Sequence, residues 1–150
     1  MLHEWGGGVE FMTRNSFIVV HADQDPAARG RLASFLNGKG FTVHQCSNGV
    51  EALALCESLH PGILLMDLEM PELDGFETAR RVRANAGLAH VVMVALSTNG
   101  DEYASARAWE AGFNEFLSKP VNMSLVLQVI RRTQEMAAVK LREANSFPSN

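Results

Sequence analysis

Positions 63 to 75 read ILLMDLEMPELDG, an apolar run that passes directly into an acidic, turn-forming segment. Residues 63–66 are the most continuously apolar short run of the chain, which is typical of a central strand buried on both faces of a parallel sheet. Pro61-Gly62 stops the helical pattern before this run, and Asp67 follows it at once. We therefore predict a buried strand that carries Asp67 to the edge of a sheet.

Short apolar runs alternate with longer segments of helical periodicity on both sides of this strand. Asp25 followed by Pro26 predicts the start of one helix, because the aspartate can cap the first turn and proline fits its first position. Five strand–helix pairs predict an α/β domain of three layers, with a parallel sheet between helices on both faces. The predicted strands are residues 17–22, 41–45, 63–67, 91–96 and 113–117, and the third helix is predicted over residues 75–86.

The bulk composition excludes several classes of function. The net charge is −4 and the charges are dispersed, which argues against a nucleic-acid or anionic-membrane surface. No apolar run approaches the roughly 18 residues that a membrane span needs. Cys46 and Cys56 are too few for a disulfide framework and lack metal-site spacing, which favours a reducing compartment. We therefore predict a cytoplasmic protein without a nucleic-acid or membrane partner.

One domain is expected from residue 17 to residue 136, followed by a helical extension and tail at 137–150. Residues 1–16 contain three consecutive glycines and little periodicity, which predicts a disordered leader. Glu10-Phe11 directly precedes a second methionine, Met12, and we interpret residues 1–11 as a remnant of an expression vector.

Polar side chains follow four of the predicted strands, at the edge where parallel sheets bind their ligands. They are Asp23, Asp67, Ser97 and Lys119. Each alone has an ordinary explanation, as a helix cap, a loop hydroxyl or a solvated turn charge. Together they supply a carboxylate nucleophile, a second carboxylate whose repulsion Mg²⁺ would relieve, a hydroxyl donor and a cation. The combination predicts a phosphoryl-transfer site.

The segment 63–75 resembles the phosphoacceptor signature of response-regulator receiver domains, at Asp67, Met70-Pro71 and Asp74-Gly75. The likeness covers about residues 17–136, nearly the whole chain after the leader. It implies a receiver domain with the flavodoxin-like strand order 2-1-3-4-5.

The later polar residues stand at the spacing of the same family. Ser97 lies 30 positions after Asp67, and Lys119-Pro120 begins 22 positions after Ser97, as the family's hydroxyl residue and lysine–proline pair do. Phe116 falls on the family's aromatic switch position. The resemblance implies that Ser97 is drawn toward a phosphoryl group on Asp67 and that Phe116 turns inward behind it.

The resemblance also implies the partners and the kind of activity. Asp67 would take its phosphoryl group, with Mg²⁺ bound, from a histidine kinase or a histidine phosphotransfer protein. The face made by the fourth helix, fifth strand and fifth helix would then meet partners, including a second copy in a homodimer. The chain would be a signalling module with at most self-catalysed phosphorylation and dephosphorylation, and not an enzyme.

The first strand departs from the family pattern. The family ends this strand in two adjacent acidic residues, whereas this chain has Asp23 and then Gln24. The resemblance implies a metal site made by Asp23, Asp67 and the backbone carbonyl of Glu69, with Gln24 as a weak further ligand. Because Gln24 carries no charge, we predict weakened Mg²⁺ binding.

The sequence leaves open one alternative register for the first strand and two alternative functions. A register that pairs Ala22 with Asp23 would restore the missing acidic ligand but would lose the match at Asp25-Pro26. A pseudo-receiver, whose surface works without phosphate, is supported mainly by Gln24. A phosphohydrolase of the haloacid-dehalogenase type is disfavoured, because that family needs a second aspartate where this chain has Glu69.

Overall fold

A computed structural model of the chain describes residues 17–146. The predicted leader at 1–16 and the last four residues of the tail lie outside the described residues. The strands are β1 (Ile18–Ala22), β2 (Thr42–Cys46), β3 (Ile63–Asp67), β4 (Val92–Ser97) and β5 (Glu115–Ser118). The helices are α1 (Pro26–Gly38), α2 (Gly49–Leu59), α3 (Gly75–Ala84), α4 (Glu102–Ala111) and α5 (Met123–Ser146), with a short 3₁₀ turn at Ala86–Leu88.

All five strands are parallel and lie in the order β2-β1-β3-β4-β5, which confirms the predicted architecture. The central strand is β3, where Leu64 lies between Val20 of β1 and Met93 of β4. Every residue of β3 is buried, because helices cover the sheet on both sides. The continuous apolar run therefore reflects burial on both faces.

Two apolar clusters fill the space between the sheet and its helices. Val20 and Leu64 point to the face that α2, α3 and α4 cover. Val19 and Leu65 point to the opposite face, which α1 and α5 cover. Successive strand residues alternate between the faces, so each strand contributes to both clusters. Because the strands are parallel, they all end at the same edge of the sheet.

Aspartate side chains cap the N-termini of three of the helices that leave this edge, α1, α3 and α4. Asp25 Oδ1 accepts a hydrogen bond from the Ala27 N–H at 3.0 Å, and Pro26 occupies the first turn of α1, as the sequence predicts. Asp74 Oδ1 accepts from the Glu77 N–H at 2.8 Å at the start of α3. These caps set the path of the loops after β1 and β3.

Most of the strand boundaries lie within one residue of the ranges predicted above, but two boundaries differ by two residues, and asparagine side chains explain both. The third helix ends two residues early because Asn85 Oδ1 accepts from the Gly87 N–H at 2.9 Å and starts the 3₁₀ turn. The fifth strand begins two residues late because Asn114 Oδ1 takes the Met93 N–H of β4 at 2.8 Å. A side-chain amide thus replaces the main chain at each boundary.

The last helix, α5, is 24 residues long and extends beyond the sheet. No side chain between Gln134 and Asn145 is buried, although Met136, Ala137 and Lys140 line a pocket with Phe17 and His90. In the described part of the chain, no helix is long and apolar enough to cross a membrane.

Candidate active site

Asp67 ends β3 with its side chain almost fully enclosed at the carboxyl edge of the sheet. The residue is 2% exposed, and its Oδ1 accepts the Glu69 N–H at 3.0 Å. The chain then folds back so tightly that a Cβ on Gly75 would lie 2.8 Å from the Leu68 Cα and 2.9 Å from the Asp67 carbonyl oxygen. Glycine is therefore required at position 75 to hold the loop that follows Asp67.

Lys119 lies between the two carboxylates predicted at this edge. Its Nζ is 3.1 Å from Asp67 Oδ2 and 3.2 Å from Asp23 Oδ2. The Lys119 N–H donates to the Ser97 carbonyl oxygen at 2.8 Å, and the peptide bond to Pro120 is cis. These contacts bring the ends of β1, β3, β4 and β5 together around one cation, so the residues predicted from the strand ends do meet.

Asp23 is held by the turn that leads into α1. Its Oδ1 accepts the Asp25 N–H at 2.9 Å, and its carbonyl oxygen accepts from Arg29 Nη1 at 2.6 Å. Like Asp67, Asp23 is 2% exposed, whereas Ala22 lies inside β1 and is fully buried. The geometry agrees with the register in which Asp25 caps the helix.

The charges of the site depend on one another. Burial raises the pKa of Asp67 above its ordinary value, although the Glu69 N–H and the Lys119 ammonium act in the opposite direction. Burial alone would lower the pKa of Lys119, but the hydrogen bonds and charges of Asp67 and Asp23 outweigh it and raise that pKa. Lys119 therefore stays an ammonium at neutral pH and partly compensates two carboxylates.

Glu69 forms contacts that the sequence did not indicate. Its carboxylate accepts from Ser97 Oγ at 3.2 Å and from Thr98 Oγ1 at 3.2 Å and 3.3 Å. Ser97 Oγ also accepts the Asn99 N–H at 3.0 Å. The hydroxyl predicted to reach a phosphoryl group is thus bonded to a carboxylate of the same chain.

Gln24 also makes a contact that the sequence did not indicate. The sequence suggested that its side-chain oxygen would face a metal, but the amide nitrogen donates to the Glu69 carbonyl oxygen at 2.8 Å. That carbonyl is the one expected to serve as a metal ligand. Within residues 17–146, no group of three or more His, Cys, Asp or Glu side chains is arranged to hold a metal ion.

His21 is a buried polar residue that the sequence reasoning missed. It is 1% exposed, neither ring nitrogen has a hydrogen-bond partner among the described residues, and Nε2 is 3.9 Å from Asp23 Oδ2. Burial lowers its pKa to about 4, against the opposing charge of Asp23. It lines a pocket of about 420 Å³ with Lys119 and Leu32. A histidine inside an apolar strand was the signal that could have found it.

Phe116, the predicted switch residue, lies on β5 and is half-buried against the cluster under α4. With Trp109 and Ser118 it lines a shallow groove between α4 and β5. The structure thus places Phe116 on the predicted partner face.

A family model for the response regulator receiver domain matches residues 19–131. The chain belongs to the response regulator receiver family. Receiver domains are signalling modules of two-component systems, and their fold, with strand order 2-1-3-4-5, is the one described above.

Three relatives illustrate the match. An uncharacterized 14.6 kDa protein from Leptolyngbya boryana is 36% identical over 117 residues, which are 78% of this chain and 87% of that protein. The DNA-binding dual master transcriptional regulator RpaA from Synechocystis sp. is 28% identical over 73% of this chain and 45% of its own length. The transcriptional regulatory protein SrrA from Staphylococcus aureus is 30% identical over 80% of this chain and 49% of its own. The chain therefore spans about half the length of the two transcriptional regulators.

Solved structures agree with the fold. A response regulator from Chloroflexus aurantiacus is 26% identical and superposes with a TM-score of 0.75 over 79% of this chain and 98% of that one. The receiver domain of the sensor histidine kinase PA1611 from Pseudomonas aeruginosa is 24% identical, with a TM-score of 0.73 over 79% of this chain and 97% of that one. The Pseudomonas domain is described with a magnesium ion coordinated in its active-site cleft.

Proposed function

We propose that this receiver domain is a phosphoacceptor, in which Asp67 takes a phosphoryl group from a histidine kinase or a histidine phosphotransfer protein. The observation that carries the proposal is the Asp67 carboxylate at the end of β3, with the Lys119 ammonium 3.1 Å from its Oδ2. An enclosed carboxylate beside a fixed cation is suited to attack an anionic phosphorus centre, because the cation offsets the charge repulsion.

The transfer needs few groups from the protein. A carboxylate oxygen of Asp67 attacks the phosphorus of a phosphohistidine whose other ring nitrogen is protonated. The new O–P bond forms as the P–N bond breaks, and the electron pair of the P–N bond leaves with the neutral imidazole. Lys119 would pair with one phosphoryl oxygen, and the Ser97 hydroxyl would donate to another. Their contribution is positioning and electrostatic stabilisation, which supply most of the rate in phosphoryl transfer.

Mg²⁺ is the proposed cofactor, as the Pseudomonas domain is described with this ion in its cleft. The residues present fit it in kind, since the Asp23 and Asp67 carboxylates and the Glu69 carbonyl are hard oxygen donors. When bound, the ion would neutralise the carboxylates and polarise a phosphoryl oxygen. Gln24 would add no charge, and its amide would have to release the Glu69 carbonyl. We therefore propose binding that is weaker than with an acidic residue at position 24.

The switch is proposed to run from Ser97 to Phe116 and the α4-β5-α5 face. Phosphorylation would draw Ser97 toward Asp67, and Phe116 would move deeper into the half-buried position that it occupies on β5. The population shift cannot exceed the difference in the phosphoryl group's interaction with the two states. No separate substrate is proposed, so any catalysis would be the domain's own phosphorylation and dephosphorylation.

Intact-mass measurement after incubation with acetyl phosphate and Mg²⁺ tests the proposal. The wild-type chain should gain the mass of one phosphoryl group, and Asp67→Asn, which keeps the size of the side chain, should gain none. Asp101→Asn is the matched control, because Asp101 caps α4 in the next loop and should leave the gain intact. A gain that persists in Asp67→Asn would contradict the assignment of the acceptor.

A phosphate-independent pseudo-receiver is the second candidate. It is favoured by one observation, the Gln24 amide on the carbonyl expected to bind metal. The absence of any mass gain at saturating Mg²⁺, in a chain that is folded, would favour this candidate over the first.

We also propose a homodimer on the flank of α5 that adjoins β5. Leu125, Met136 and Val139 share a helical stripe with Arg132, which contacts Glu115 of β5, and are 40%, 56% and 40% exposed. In heptad terms, Glu135 and Lys140 flank Met136 and Val139, where a parallel second copy would pair the acid of one helix with the lysine of the other. Sedimentation equilibrium should give a dimer that Met136→Glu dissociates.

The unpaired buried thiols of Cys46 and Cys56 support the proposed cytoplasmic location.

A further inference from the structure

We infer that Glu69 is a positioning residue that holds the site closed in the unphosphorylated chain, by binding the hydroxyls of the loop after β4. The inference rests on the proposed function, since the site that Glu69 closes is the one that contains Asp67, the proposed phosphoacceptor. It concerns the Glu69 side chain, to which neither the fold nor the family match assigns a role.

The carboxylate of Glu69 occupies the hydroxyl donors of the β4–α4 loop. Ser97 Oγ and Thr98 Oγ1 both donate to it, at 3.2 Å each for the nearest pairs. An anionic group that accepts from Ser97 Oγ uses this hydroxyl as a phosphoryl group on Asp67 would, and Thr98 Oγ1 adds a second donor to the same carboxylate. Glu69 therefore supplies an anion from within the chain at the Ser97 hydroxyl, the donor predicted to meet phosphate.

The main chain of Glu69 is tied down at the same time. Its N–H donates to Asp67 Oδ1 at 3.0 Å, and its carbonyl oxygen accepts from Gln24 Nε2 at 2.8 Å. Glu69 thus joins the loops after β1, β3 and β4 across the mouth of the site. Gln24 lies 45 positions before Glu69, and Ser97 lies 28 positions after it, so these contacts depend on the fold.

Phosphorylation would have to break the side-chain contacts. A phosphoryl group on Asp67 adds nearly two negative charges and needs the Ser97 hydroxyl, which the Glu69 carboxylate already holds. The two anions would compete for one donor and repel each other. Glu69 is exposed, so its side chain can swing into solvent when the phosphoryl group arrives. The phosphorylation of Asp67 should therefore be slower, and the β4–α4 loop should be more ordered before phosphorylation.

The first experiment compares phosphorylation rates by acetyl phosphate at saturating Mg²⁺. Loss of two hydrogen bonds, one partly buried and one exposed, should accelerate the phosphorylation of Glu69→Ala by about fivefold. Glu69→Gln retains an acceptor but not the charge and should fall between Glu69→Ala and the wild type. Glu110→Gln, an exposed charge change on α4, should match the wild type. A Glu69→Ala rate equal to or below that of the wild type would overturn the inference.

The second experiment needs neither phosphate nor metal. Hydrogen exchange in EDTA should be several-fold faster at the Asn99 amide of Glu69→Ala, because that amide donates to Ser97 Oγ. Thr98→Val should also accelerate exchange in the wild-type background and add little to Glu69→Ala, since both changes break the same contact. Unchanged exchange at Asn99 would overturn the inference. A wild-type chain that takes no phosphoryl group would instead overturn the proposed function, and the exchange result would still decide the Glu69 contacts.

Discussion

The two halves of the site are built from similar polar contacts but differ in exposure. In the first half, Lys119 lies between Asp23 and Asp67, whose side chains are 3% and 2% exposed. In the second half, Gln24 and Glu69 are exposed and bond across the mouth of the cleft. Electrostatic contacts are stronger where water is excluded, and breaking them leaves charges that water cannot solvate. The buried half should therefore affect the stability of the fold, and the exposed half should adjust function.

The largest effect is expected from Lys119→Met, which breaks the buried half. The change leaves Asp23 and Asp67 enclosed without their cation, and should lower the free energy of unfolding by about 3 kcal/mol at pH 8. The loss should shrink as the pH falls, because a carboxyl with a raised pKa such as Asp67 is protonated sooner. Urea unfolding at several pH values measures it, and a loss below about 1 kcal/mol at pH 8 would show that the ion pairs are solvated.

His21 gives the next largest effect, also in the buried half. Its pKa is lowered from 6.5 to about 4 in the folded chain. The stability that this shift provides is present above the unfolded pKa and is lost as the pH falls through 6.5 toward 4, by up to about 3 kcal/mol. His21→Val should remove this part of the acid destabilisation while the carboxylates keep theirs. Unfolding free energies of both proteins at pH 7 and pH 4.5 provide the check, and parallel pH profiles would refute the assignment to His21.

A smaller effect is expected in the exposed half from Gln24→Ala. This change removes one exposed hydrogen bond to the Glu69 carbonyl and should alter the free energy of unfolding by less than about 1 kcal/mol. Gln128→Ala, an exposed glutamine on α5, is the matched control. A loss for Gln24→Ala as large as that for Lys119→Met would remove the distinction between the halves.

The smallest effect is expected at an ion pair on the surface, which provides an exposed reference for the buried ion pairs of Lys119. Arg132 Nη2 lies 2.7 Å from Glu115 Oε1, closer than Lys119 to either aspartate, but the two side chains are 59% and 38% exposed. Arg132→Ala should cost less than about 1 kcal/mol and nothing measurable in 1 M salt. Urea unfolding at low and high salt distinguishes this from a contact whose energy depends on distance alone.

Local sequence patterns predicted most of the fold. The apolar run before Asp67 and the Asp25-Pro26 pair act within a few residues of themselves, so periodicity and capping rules were sufficient to find β3 and the start of α1. The start of β5 was misplaced because the Asn114 side chain bonds to Met93, 21 positions away. No local pattern contains that contact.

The site divides in the same way. Asp67, Ser97 and Lys119 were found because strand ends in a parallel sheet share one edge, and the fold brings those ends together. The direction of the Gln24 amide was not predictable, since it depends on a carbonyl 45 positions away. The contacts of the Glu69 carboxylate were also missed, because its partner Ser97 is 28 positions away. Sequence thus located the buried half of the site but not the contacts that close the exposed half.

A Mg²⁺ titration of acetyl-phosphate labelling, in the wild type and in Gln24→Asp, tests together whether Asp67 is a phosphoacceptor and whether Gln24 weakens its metal site. We expect one phosphoryl group per chain in both proteins, with half-maximal labelling at a Mg²⁺ concentration on the order of tenfold lower in Gln24→Asp, where a third carboxylate, beside Asp23 and Asp67, faces the ion. Labelling of neither protein at any Mg²⁺ concentration would contradict the phosphoacceptor. Superimposable titration curves would contradict the proposal that Gln24 weakens Mg²⁺ binding.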